Sequence, residues 1–165
     1  MFDKFGEFDS AEELNRAAAA QFKEGDEQAI YDIAKENGID TEDAEDYMDG
    51  VISELVTVRS AAIGKLKVEA EEYKLKGLLG EWVDELTALC MEDEAFAKAV
   101  RRKGKELAEL IARYADHGYE NSVEVDKRIV AKTNKVKGIV GNHKFAIGVP
   151  DKKTRRELAK AYYLG

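Results

Sequence analysis

The segment Ser10–Gly50, SAEELNRAAAAQFKEGDEQAIYDIAKENGIDTEDAEDYMDG, decides the fold of this 165-residue chain. It reads as three short helices punctuated by glycine. Ser10 with Glu13 three residues on forms a capping box, in which each side chain satisfies the other's backbone N–H. Leu14, Ala17, Ala18, Gln21 and Phe22 then recur at helical spacing until Gly25 stops the run. Asp26 caps a second helix with Ala29, Ile30, Ile33 and Ala34 on its inner face, closed at Asn37-Gly38, where glycine readily takes the left-handed conformation. Asp40 or Thr41 opens a third, with Ala44, Tyr47 and Met48 inward, ending near Gly50.

The same reasoning carries along the rest of the chain. Val51 to Tyr73 is one kinked helix or two, with Gly64 interrupting Ile52, Leu55, Val56, Ala62, Ile63, Leu66 and Ala70. Leu78 to Met91 places Leu79, Trp82, Val83, Leu86, Leu89 and Cys90 on one broad face and reads as the core helix. Asp93 caps a further turn through Phe96, Ala99 and Val100. Gly104 separates that turn from Leu107, Leu110, Ile111, Tyr114 and Ala115, and Asp126 caps a short helix with Ile129 and Val130. Between Asn134 and Gly148, three glycines among apolar residues indicate a loop or small hairpin. Pro150 and Asp151 open a last basic helix carrying Leu158, Ala161, Tyr162 and Leu164. With a single proline, 44% apolar and 36% charged residues, the expected fold is all-α: a compact multi-helix bundle with an irregular or hairpin segment near 134–149. The expected organisation is a helical domain over 1–133, whose acidic three-helix part is 1–50, and a glycine-rich basic segment with its C-terminal helix over 134–165.

Charge is laid out unevenly. Residues 1–54 hold 17 Asp/Glu against 4 Lys/Arg, whereas residues 101–165 hold 16 Lys/Arg against 8 Asp/Glu. Such asymmetry points to a macromolecular partner rather than a small substrate. No stretch approaches the roughly 18 apolar residues of a membrane span, and no basic-then-apolar leader is visible. A lone cysteine, Cys90, excludes an internal disulfide and suits a reducing cytoplasm. A cytoplasmic protein without membrane association is expected.

Motifs that would carry chemistry are absent. The acidic cluster Asp40, Glu42, Asp43, Glu45, Asp46 and Asp49 invites a calcium reading, but no register matches an EF-hand loop: starting at Asp43, the fifth position is Tyr47 and the sixth Met48. The cluster suits a solvated face or a charged partner surface. Ala29–Met48 could be a helix-turn-helix, yet its second helix has no basic residue between Asp40 and Gly50, so DNA would repel it. Arg101-Arg102-Lys103-Gly104-Lys105 lacks the spacing of a nucleotide loop and fits either helix-dipole complementation or a phosphate-contacting surface. Gly138-Ile139-Val140-Gly141, with Lys135, Lys137 and Lys144 around it, fits the G-x-x-G pattern of a KH-type loop without that fold's flanking order. His117 and His143 with one cysteine do not make a zinc site. Tyr162-Tyr163 is the one aromatic pair that could serve as a stacking platform. No grouping supports acyl, phosphoryl or hydride transfer, so neither an enzyme nor a cofactor nor a metal is expected.

Several segments together carry a resemblance: Met1-Phe2-Asp3-Lys4-Phe5-Gly6-Glu7-Phe8 running into Ser10-Ala11-Glu12-Glu13; Ala34-Lys35-Glu36-Asn37-Gly38-Ile39-Asp40; Glu42-Asp43-Ala44-Glu45-Asp46-Tyr47; Gly64-Lys65-Leu66; Ala99-Val100-Arg101-Arg102-Lys103-Gly104-Lys105; Val125-Asp126-Lys127; and Tyr162-Tyr163-Leu164-Gly165. In these the chain is similar to small proteins on phages and on integrative and conjugative elements of Firmicutes. Those are classed as anti-CRISPR inhibitors of the type II CRISPR RNA-guided DNA nuclease, and are linked more loosely to PcfK-like proteins of conjugative plasmids. The resemblance implies a non-catalytic inhibitor that binds that effector nuclease directly. Because the nuclease holds its heteroduplex in a positive channel, Asp40, Glu42, Asp43, Glu45, Asp46 and Asp49 are the expected contact face, acting as a nucleic-acid mimic. The alternative is a DNA-binding accessory of a conjugative or integrative element, with Arg101, Arg102, Lys103, Lys152, Lys153, Arg155 and Arg156 on phosphates.

Overall fold

A computed structural model describes residues 4–165. Met1–Asp3, the first residues of the resembling segments, lie outside the described residues. The order is α1 (Ala11–Glu24), α2 (Glu27–Glu36), α3 (Thr41–Met48), α4 (Val58–Glu72), α5 (Leu78–Glu92), α6 (Glu94–Arg101), α7 (Leu107–Glu120), β1 (Val123–Glu124), α8 (Lys127–Val130), α9 (Val136–Val140), β2 (Ala146–Ile147) and α10 (Lys152–Leu164). The fold is all-α with one small antiparallel ladder, in register Val123↔Ile147 and Glu124↔Ala146. The ladder pairs the end of the glycine-rich stretch with a strand upstream of it, not with itself. Contacts divide the chain into two units: residues up to Glu109 together with Lys160–Gly165, and Leu110–Ala159. The division therefore falls at Leu110 and Ala159 and not at 134. Residues 134–149 are tied by the ladder to the segment before α8, and Tyr114 donates its hydroxyl hydrogen to the Arg155 carbonyl at 2.9 Å.

In the first unit the caps follow the side-chain chemistry. Ser10 Oγ accepts the Glu13 N–H at 3.1 Å, while Glu13 reaches one residue further back than a capping box requires, to the Asp9 N–H at 2.8 Å. Asp26 and Asp93 accept the N–H of Ala29 and Phe96. A box absent from the sequence reading starts α4, where Thr57 and Ser60 satisfy each other's backbone N–H. Leu14, Ile30, Ile33, Ala34 and Ala44 join Ile39, Leu55 and Val56 in one core. The α4 helix packs on α5 and α6, burying Leu66, Trp82, Leu86, Phe96 and Val100.

Gly64 does not interrupt α4, which runs through it unbroken. A Cβ there would overlap the Asn37 carbonyl oxygen, and one on Gly38 would overlap the Gly64 carbonyl. Two glycines thus let the α2–α3 turn lie directly on the α4 backbone. The second unit repeats the device, with Gly118 of α7 against Gly148.

The last helix is rotated from expectation. Ala161 and Leu164 are exposed, whereas Ala159, Tyr162 and Tyr163 are buried. Tyr163 meets Phe96 edge-on with centroids 5.4 Å apart, so the tyrosine pair is core and not a stacking platform.

Candidate partner-binding face

The geometry of α3 follows from its eight residues. Ala44 is fully buried, and Tyr47 and Met48 pack half-buried against the core, which fixes the helix's rotation. Glu42, Glu45, Asp46 and Asp49, at i, i+3, i+4 and i+7, then form one outward stripe with Asp43 beside it. Asp40 stands apart from this stripe. It precedes the helix, caps no N–H, and pairs with Lys67 Nζ at 2.9 Å. Among the described residues none of the other five carboxylates is in an ion pair. The Tyr31 phenol is pushed above its ordinary range by burial first, then by Glu45, Glu27 and Asp49.

This arrangement opposes helix stability. Glu42 and Asp43 sit at the positive end of the helix dipole, but Asp46 and Asp49 sit at the negative end, and the last turn holds no basic residue. Each misplaced carboxylate costs about 0.3–1 kcal/mol, and the like charges three and four apart add to it.

The basic residues of the alternative reading fall in two different units. Arg101 leaves that set: it is 1% exposed and donates from Nη2 to Asn37 Oδ1 at 2.8 Å, so it reaches no phosphate on the surface. Arg102 and Lys103 are exposed in the first unit; Lys152, Lys153 and Arg156 are exposed in the second. Arg155 is half-buried, with its guanidinium on the Pro150 carbonyl. The G-x-x-G stretch is no loop either, since Gly138 lies inside α9. A further basic run lies outside that set. From Lys127 to Pro150 there are six Lys/Arg and no Asp or Glu, a run legible without any structure.

Most of the resembling segments converge inside the first unit. Lys65, 0% exposed, donates to the carbonyls of Arg102 at 2.7 Å and Lys105 at 3.0 Å and to Glu7 at 2.8 Å. Glu7 also accepts the Gly104 N–H, and Asp9 the Lys103 N–H. Lys105 Nζ donates to the Tyr162 carbonyl at 2.9 Å, and Asn37 bridges Arg101 to the Ile33 carbonyl. Residues 7–9, 37–38, 64–66, 101–105 and 162–163 are therefore joined in one polar lattice, built on the buried Asn37, Lys65 and Arg101, that holds the fold. What they carry is architecture, whereas the α3 stripe is a part of the resemblance that faces outward.

Cys90 is fully buried, and burial pushes its thiol up to about 12, which removes it as a nucleophile. Among the described residues no three His, Cys, Asp or Glu are grouped to hold a metal, and no helix is long and apolar enough to cross a membrane. Comparison with protein-family models, with curated proteins and with solved structures found no match.

Proposed function

We propose that this chain is a non-catalytic binding protein which offers the α3 stripe to a basic, nucleic-acid-holding groove of another protein. The resemblance in the sequence supplies the partner, a type II CRISPR effector nuclease, and inhibition of its action on DNA as the consequence. The observation that carries the reading is the unpaired state of Glu42, Asp43, Glu45, Asp46 and Asp49 on one short helix. From Glu42 to Asp49 the helix rises about 10 Å, so the five charges fall about 2.6 Å apart on average along the axis. Duplex DNA carries one charge per about 1.7 Å. The stripe therefore carries about two-thirds of the linear charge density of the ligand that such a groove is built to accept. Retaining Asp46 and Asp49 against the helix dipole is a stability cost that a partner surface rationalises.

The test is capture of the purified nuclease–guide complex by the immobilised chain, with DNA cleavage followed in parallel. Capture is expected to weaken steeply as salt rises, because charges in such a contact are screened over about 8 Å at 0.15 M. Neutralising all five carboxylates (E42Q/D43N/E45Q/D46N/D49N) is expected to weaken capture about 100-fold, whereas Asp40→Asn, already paired with Lys67, changes it little. Unchanged capture by the fivefold variant at about 0.15 M salt would overturn the mimic reading.

A further inference from the structure

The second unit contains a cleft of about 510 Å³ between β1, α8, α9 and the segment entering β2. Lys127, Lys137, Asn142, His143, Lys144 and Phe145 line it. Glu124, which also lines it, and Asp126 nearby in the chain are already matched, Glu124 to Lys144 at 3.1 Å and Asp126 to Arg128 at 2.8 Å. Lys127, Lys132, Lys135 and Lys137 are exposed and, among the described residues, in no ion pair. The cleft is thus a concave surface with two uncompensated cations, Lys127 and Lys137, neutral polar donors and one aromatic side chain in its wall, and Lys132 and Lys135 add two more on the adjoining stretch of chain.

We infer that this cleft seats a single-stranded nucleic acid, with phosphates on Lys127 and Lys137 and a base against Phe145. Four unmatched lysines attract a polyanion and gain from counterion release. A volume of this size falls in the range that holds a nucleotide-sized group. Asn142 and His143 supply polar partners for a base or sugar, and an aromatic wall stacks any base regardless of sequence. A duplex presents its bases already stacked and a membrane presents a flat surface, and neither uses a concave aromatic wall. The site is separate from α3 and does not rest on the reading of that helix. It also moves the nucleic-acid alternative from the residues first named for it to a different segment.

The experiment needs only the full chain. Fluorescence anisotropy would follow a labelled mixed-sequence single-stranded 12-mer, the matching duplex, and phosphatidylcholine vesicles containing phosphatidylserine, across a salt series. Salt-dependent binding of the single strand is expected, weaker for the duplex. In K127A/K137A, whose altered side chains make no internal bond among the described residues, the slope of log affinity against log salt should drop by about 1.4, at about 0.7 per phosphate contact. Phe145→Leu should lower affinity about tenfold and leave the slope unchanged. Circular dichroism of each variant separates lost binding from lost folding. An unchanged slope in K127A/K137A overturns the proposal, as does binding of the duplex or the vesicles without binding of the single strand.

Discussion

Glu69 is 1% exposed, accepts the Leu107 N–H at 3.1 Å, and lies 4.0 Å from Lys65 Nζ. Burial pushes its carboxyl up to about 7, against the opposing pull of Lys65 and the Leu107 N–H. The folded state therefore holds this proton at pH values where the unfolded chain has released it. Stability from this group is complete below about pH 4.5 and is lost as pH rises towards 7, by about 3 kcal/mol in all. Denaturant unfolding between pH 4.5 and 8 is expected to show this decline. In Glu69→Gln, which keeps an acceptor for Leu107, the decline should flatten, so the variant gains on the parent as pH rises. A parallel pH dependence in both proteins would show that Glu69 is not the group responsible. None of this was legible in the sequence, where a lysine and a glutamate on a helix read as solvent-facing by default. Their burial depends on carbonyls and an N–H delivered by residues about 40 positions away.

At the scale of elements, caps and inner faces were legible because they are local: Ser10, Asp26, Asp93 and Asp126 each accept the N–H their position calls for. Gly64 shows where local logic fails. A glycine in a helical pattern marks either a break or a close approach, and the approaching backbone, Asn37, lies 27 residues earlier. The two readings predict opposite outcomes for Gly64→Ala. On helix propensity alone alanine stabilises by about 1 kcal/mol. With the Asn37 carbonyl in the way, a net loss of about 2 kcal/mol or more is expected, read as a lowered melting temperature. A raised melting temperature would remove the glycine crossing from the account. The rotation of α10 failed for a similar reason: Ala161 and Leu164 satisfy the apolar period, but Phe96 takes Tyr163 instead.

For the whole molecule, part of the uneven charge is spent inside each unit, as in Glu7 on Lys65 in the first and Glu124 on Lys144 in the second. Carboxylates near the front take Lys4, Lys65 and Lys67, and of the later basic stretch Arg101 is the cation seen to enter that bundle. The α3 stripe and the lysine cleft remain, one in each unit and each of one sign. The two proposed activities should therefore separate genetically. The fivefold α3 variant is expected to lose nuclease capture and keep single-strand binding, and K127A/K137A to do the reverse, each assayed by both methods at about 0.15 M salt, where the Debye length is about 8 Å. Joint loss in either variant would mean a single composite surface.

The sequence alone determined most of the helices, the caps at Ser10, Asp26, Asp93 and Asp126, and the acidic character of α3, because hydrophobic period, capping and helix-start carboxylates act within a few residues. Tertiary structure alone decided which charges are spent and which are free. Arg101, Lys65 and Glu69 disappear into a buried lattice, Asp40 is claimed by Lys67, and five carboxylates and four lysines are left without partners among the described residues. A charge's availability depends on what the fold brings within hydrogen-bond distance of it, and those partners are remote in the chain.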